Sequence, residues 1–157
     1  MNKIIILKND TSIISISHSV QFNIISRLYL SVEGEADCDE VIQYKKQIKK
    51  KLSGYKNQDI IRGRYENDKF ISLEQTVEKL LCSKLACAYC KCKCDIIYDF
   101  RNTAQWTLDR ICNDEGHNTE NVIISCLKCN IKRGTMDHGR YKKGKQLKFT
   151  LLDKQNI

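Results

Sequence analysis

At 157 residues the chain has room for one medium domain or two small ones. Its 41% hydrophobic and 29% charged content exclude a disordered chain, and no apolar run approaches the roughly 20 residues that span a bilayer. A formal net charge of +8 points to a polyanionic partner; an anionic membrane surface would attract the same charge.

Nine cysteines are many for this length, and four stand in "CAYCKCKC". The count is odd, and "MNKIIILKND" has only a short apolar run with no clear cleavage site. These features favour an intracellular, reducing compartment and metal ligation over a disulfide framework.

Residues 1 to 32 alternate apolar and polar, as in "TSIISISHSV", and are rich in β-branched residues. The pattern predicts strands, a small antiparallel sheet or hairpin that could dimerise, recognise a target or complete the fold. His18 then reads as a surface or half-buried strand histidine. Asp37 or Asp39 is placed to cap a helix over "DEVIQYKKQIKKKL", with Val41, Tyr44, Ile48 and Leu52 on one face. Between residues 45 and 69 there are nine Lys and Arg against three acidic residues, whereas residues 1 to 40 carry three against six. A solvated helix face and a phosphate-tracking surface both account for such a run. Residues 51 to 70, with two glycines and many polar side chains, read as a linker or an extended segment.

"SLEQTVEKLLCSKL" (72 to 85) predicts a helix capped by Ser72 and Gln75, with Leu73, Val77, Leu80, Leu81 and Leu85 as its apolar stripe and Cys82 beside it. Two Cys-x-x-Cys pairs follow, Cys87/Cys90 and Cys126/Cys129. Such knuckles aim four thiolates at one ion and predict a structural Zn²⁺ site. Cys92 and Cys94 are alternative ligands or spare thiols. The 35 residues between the knuckles exceed a compact zinc ribbon, so a folded insert is expected. It reads as a strand ("QWTLDRI"), a polar loop ("CNDEGHNTEN"), a strand ("VIIS") and a short helix ("LKCNIKRGTM"), with Trp106 in the hairpin core.

From Cys87 to Arg133 the pattern "TLDRI…GH…NV…C..CN..KR" resembles the HNH, or ββα-metal (His-Me finger), endonucleases. It is similar to the subgroup with Asp-Arg where many members have Asp-His, and "KLSGYKNQDI" and "QWTLDRI" are similar to HNH proteins of large DNA viruses. The resemblance implies an α+β fold: a zinc-braced ββα-metal core with the strand-rich N-terminal region and two connecting helices. It divides the chain into residues 1–70, a nuclease domain at 71–140 and a basic tail at 141–157.

The resemblance also implies roles. Asp109 and Asn130 would hold a catalytic Mg²⁺ or another divalent ion, for which a carboxylate and an amide oxygen are suitable ligands. Arg110 replaces the usual histidine and cannot act as a base, but it can grip a phosphate. His117 is then the one imidazole left in the hairpin to activate water; taken alone, a histidine after Gly116 is an ordinary turn residue. Asn121 would brace the loop. His138 lies beyond the helix and carries no role in this reading. Residues 128 to 148 hold eight Lys and Arg against one Asp. Lys128, Lys132, Arg133, Arg140, Lys142 and Lys143, with Arg110, are the expected DNA contacts. The same residues also describe a non-catalytic zinc module that binds DNA or RNA.

Overall fold

The computed structural model describes residues 16–30 and 38–148. Helix α1 (His18–Leu30) is followed by α2 (Asp39–Ile61) and α3 (Leu73–Cys82). Then come strand β1 (Trp106–Arg110), a 3-10 turn (Thr119–Asn121), strand β2 (Val122–Cys126), α4 (Leu127–Arg133) and α5 (His138–Gln146). The fold is mixed α+β; the described residues form five α-helices and one antiparallel pair of strands. No described helix is long and apolar enough to cross a membrane.

The expected strands at the N-terminus are corrected where they are described. Residues 18 to 30 are helical, because Gln21, Ile24, Ile25 and Leu28 repeat at three and four residues and all turn inward. The period-two reading followed the β-branched residues and missed this stripe; residues 1–15 lie outside the described part. Gln21 explains how a polar residue is tolerated there. Its amide donates to the Ile16 carbonyl and to Asp95, and its Oε1 accepts from the Ile96 amide.

Helix α2 buries Val41, Tyr44, Ile48 and Leu52 as the sequence spacing predicts. It starts after Cys38, with Asp39 and Glu40 in its first turn, and Asp37 lies outside the described residues. The expected linker is corrected over residues 51–61, since α2 continues through Gly54 to Ile61. A second stripe explains the continuation. Lys51, Tyr55 and Asp59, four residues apart, face β1 and the loop after it. Lys51 Nζ donates to the Trp106 carbonyl and to Gln105 Oε1, while the Tyr55 hydroxyl accepts from the Leu108 amide. Tertiary contacts of this kind outweigh the poor helix propensity of one glycine.

Helix α3 begins with the predicted reciprocal cap. The Gln75 amide donates to Ser72 Oγ at 3.2 Å, and the Ser72 amide donates to Gln75 Oε1 at 2.9 Å. Thr76, Val77 and Leu80 face the core, whereas Cys82 is exposed rather than part of it. The buried apolar residues from Ile24 to Tyr141 form one cluster. It runs across residue 70, and α5 runs across residue 140.

In the strand pair Trp106 faces Cys126, and Arg110 faces Val122. Trp106, Leu108, Val122 and Ile124 are buried, and so are Thr107, Asp109 and Ser125 on the alternate positions. Both faces are therefore covered, α4 lying over the Thr107/Asp109 side. Each outer edge is capped as well: α2 serves β1, and the Ala88 amide donates to the Ile124 carbonyl on β2.

A four-cysteine cage and two polar sites beside the hairpin

The Sγ atoms of Cys87, Cys90, Cys126 and Cys129 all lie within 4.8 Å of one another. Cys90 and Cys126 are 3.8 Å apart, matching the tetrahedral edge of about 3.8 Å that Zn–S bonds of about 2.3 Å require. This cluster could bind a metal such as zinc. Each knuckle is closed by its backbone. The Cys129 amide points at Cys126 Sγ; on the other side Cys87 pairs with Cys92 and Lys91 turns left-handed at φ 62°. Burial pushes the Cys126 and Cys129 thiols up to about 12. Without a cation to compensate, four thiolates cannot share so small a volume. Of the spare thiols, Cys92 is exposed and Cys94 is buried; neither belongs to the four-residue cluster.

On one side of the hairpin Asp109 is buried, with one hydrogen bond to each carboxylate oxygen. The Tyr89 hydroxyl donates to its Oδ2 at 2.5 Å, and Arg133 donates to Oδ1 at 2.7 Å. Tyr89 sits inside the first Cys-x-x-Cys, so the cage itself positions this contact. With its own O–H directed at Asp109, the Tyr89 oxygen accepts from His138 Nδ1 at 3.1 Å. Asn130 faces the same side: its Nδ2 donates to Thr107 Oγ1, and its Oδ1 has no hydrogen bond among the described residues.

Arg133, one of the expected DNA contacts, is turned inward. Only 3% of it is exposed; its guanidinium neutralises Asp109 and donates to the Ile111 carbonyl. Its i,i+3 relation to Asn130 turns it toward β1 instead of outward. Lys128, Lys132, Arg140 and Lys143 are exposed, and Lys142 is half-buried.

The second polar site is built on the loop between the strands. His117, 4% exposed, is a buried residue, not the free turn residue that "EGHN" suggests. The Asp59 carboxylate accepts from the His117 main-chain amide at 2.6 Å and pairs with Nδ1 at 2.8 Å. The imidazole stacks on Tyr55, centroids 4.4 Å apart. Burial lowers the His117 pKa below 6.5; Asp59 opposes this and nearby Arg110 and Arg62 reinforce it. The ring is thus neutral at pH 7, Nδ1 carries the proton, and Nε2 makes no hydrogen bond among the described residues.

Asn121 ties this loop together, accepting from the Cys112 amide and donating to the Cys112 and Gly116 carbonyls. Arg110 does similar work, donating to the carbonyls of Asn113 and Glu115. Gly116 is required by close approach: a Cβ would stand 2.5 Å from the Arg64 carbonyl and 2.9 Å from Asp59 Oδ2.

Arg110 and His117 therefore belong to the α2 side, and Asp109 and Asn130 to the α4 side. No hydrogen bond or ion pair among the described residues joins the two sets. Asp59, Tyr89 and Thr107 escaped the sequence reading. The one available signal for Asp59 was the polar repeat Lys51, Tyr55, Asp59 on α2. No protein-family model matches the chain, and no significant match was found among curated proteins or solved structures.

Proposed function

We propose that the protein is a zinc-braced, divalent-metal-dependent DNA endonuclease of the HNH, or ββα-metal, type. The observation that carries this reading is the Asp59–His117 pair. A carboxylate that accepts a hydrogen bond from Nδ1–H fixes the tautomer and leaves Nε2 as an unprotonated acceptor. Such a nitrogen removes a proton from an attacking water. Asn121, Gly116 and Tyr55 hold it in place; Arg110 has N–H groups left for a phosphate oxygen. Lys128, Lys132, Arg140, Lys142 and Lys143 steer and position the duplex.

Asp109 and Asn130 would hold the catalytic ion, Mg²⁺ by their chemistry. Asn130 Oδ1 is a hard oxygen with no competing donor, and each Asp109 oxygen keeps a second lone pair. When bound, such an ion polarises the scissile phosphate and stabilises the charge that develops on it. Because Arg133 already neutralises Asp109, these two residues would hold the ion weakly on their own.

The same engagement of Asp109 favours a second reading, a zinc-containing module that binds DNA or RNA without cutting it. Supercoiled plasmid separates the two. The endonuclease nicks it with Mg²⁺ and loses that activity in Asp109→Asn and Asn130→Ala at unchanged zinc content. A binding module retains salt-sensitive affinity and leaves the plasmid intact with every divalent ion.

A further inference from the structure

A groove of about 460 Å³ opens along α2, between this helix and the segment around Tyr98 and Phe100. Its floor is Gly54, where an added Cβ would meet nothing within 4 Å. Glycine within a helix is destabilising, so this position gives up stability and leaves open space. The walls carry Tyr98, Phe100, Lys50 and Gln58. Phe100 is 77% exposed, with the Arg101 guanidinium 5.1 Å from its ring centre. Lys51 is tied to the Trp106 carbonyl and Gln105, so Lys50 supplies the groove's free charge. No acidic side chain lines it.

We infer that this groove receives an unpaired nucleobase of a single-stranded or locally opened nucleic acid, stacked on Phe100 and Tyr98, with Lys50 on the adjoining phosphate. An exposed ring, a second ring across a glycine floor and lysines without acids are what base stacking next to a phosphate requires. Gln58 offers an amide to a base edge, and such grooves discriminate little between bases. Tyr55 joins the groove to the hairpin, since it lines the groove and stacks on His117. A protein segment would find no carboxylate partner for its own cations here. The inference rests on the nucleic-acid part of the preceding proposal and narrows the substrate to strands with unpaired bases beside the duplex.

The test is fluorescence anisotropy with a labelled oligo-dT strand and a labelled blunt duplex, in buffer without divalent ions, so that cleavage plays no part. Phe100→Ala and Gly54→Leu are the variants, each checked for zinc content and helical circular dichroism. The expected result is a loss of oligo-dT affinity of about 5- to 100-fold in either variant, with duplex affinity within about twofold of wild type, inside the small effect expected away from a contact. Unchanged oligo-dT affinity, or equal losses on both DNAs, overturns the groove. Absence of all nucleic-acid binding by the wild type overturns the groove and the proposed function together. Groove-dependent binding without cleavage upholds the groove and removes the endonuclease alone.

Discussion

Asp59 on α2 grips His117 by two N–H groups, at 2.6 and 2.8 Å, across 58 residues of sequence. This contact fixes the loop between the strands onto the longest helix and sets the histidine's tautomer. Removing the carboxylate leaves two buried donors without a partner. Asp59→Ala is expected to lower stability by about 2–3 kcal/mol. Gly116→Ala should destabilise too, because the new Cβ meets the Arg64 carbonyl. Urea unfolding monitored at Trp106 measures both.

Stability should fall in mild acid. The folded pKa of His117 lies below the ordinary 6.5, chiefly through burial. Below pH 6.5 the unfolded chain takes up this proton and the folded chain resists it. Stability is therefore fully present above 6.5 and declines as pH drops toward the folded pKa. His138 is shifted the same way, again by burial first. Unfolding free energy measured from pH 7.5 to 5 should decline less in His117→Asn, and least with His138→Asn added.

Arg133 and Lys132 are neighbours with opposite predicted phenotypes. Arg133→Met strands Asp109 as an unpaired buried charge and should cost about 3–5 kcal/mol. Lys132→Ala should leave stability within about 0.5 kcal/mol. On duplex DNA it should flatten the salt dependence, reducing the log–log slope by about 0.9. Thermal melts and salt titrations of binding separate the two effects.

The cage predicts one zinc per chain, read by elemental analysis. Cys126→Ser should lose the metal and the cooperative unfolding transition, since Cys126 belongs to β2, caps α4 and completes the cluster. Cys92→Ser should keep both. Zinc affinity should weaken in acid, because thiols pushed up to about 12 must release protons to bind.

The parts legible in the sequence were those with local signals. The Ser72/Gln75 cap, the Val41-to-Leu52 stripe, both strands and the symmetric cysteine knuckles fall where their spacing places them. Helix α1 departs from the strand expectation because its β-branched residues favour strands while its burial follows a helical stripe. The path of α2 through Gly54 depends on Lys51 and Tyr55 capping the free edge of β1, a contact that local propensity does not contain. In the candidate site, Asp109, Asn130 and His117 were visible as residue types; their partners were not. Tyr89 and Asp59 come from 20 and 58 residues away, and they determine which oxygens and nitrogens remain available.

The central claim is that His117 Nε2 removes the proton from the attacking water. His117→Asn tests it most directly, because an asparagine amide keeps a donor near Nδ1 for Asp59 and lacks Nε2. With Mg²⁺ and supercoiled plasmid, this variant should retain wild-type folding, zinc content and DNA affinity and nick at least about 100-fold more slowly. Nicking by His117→Asn at the wild-type rate would contradict the account.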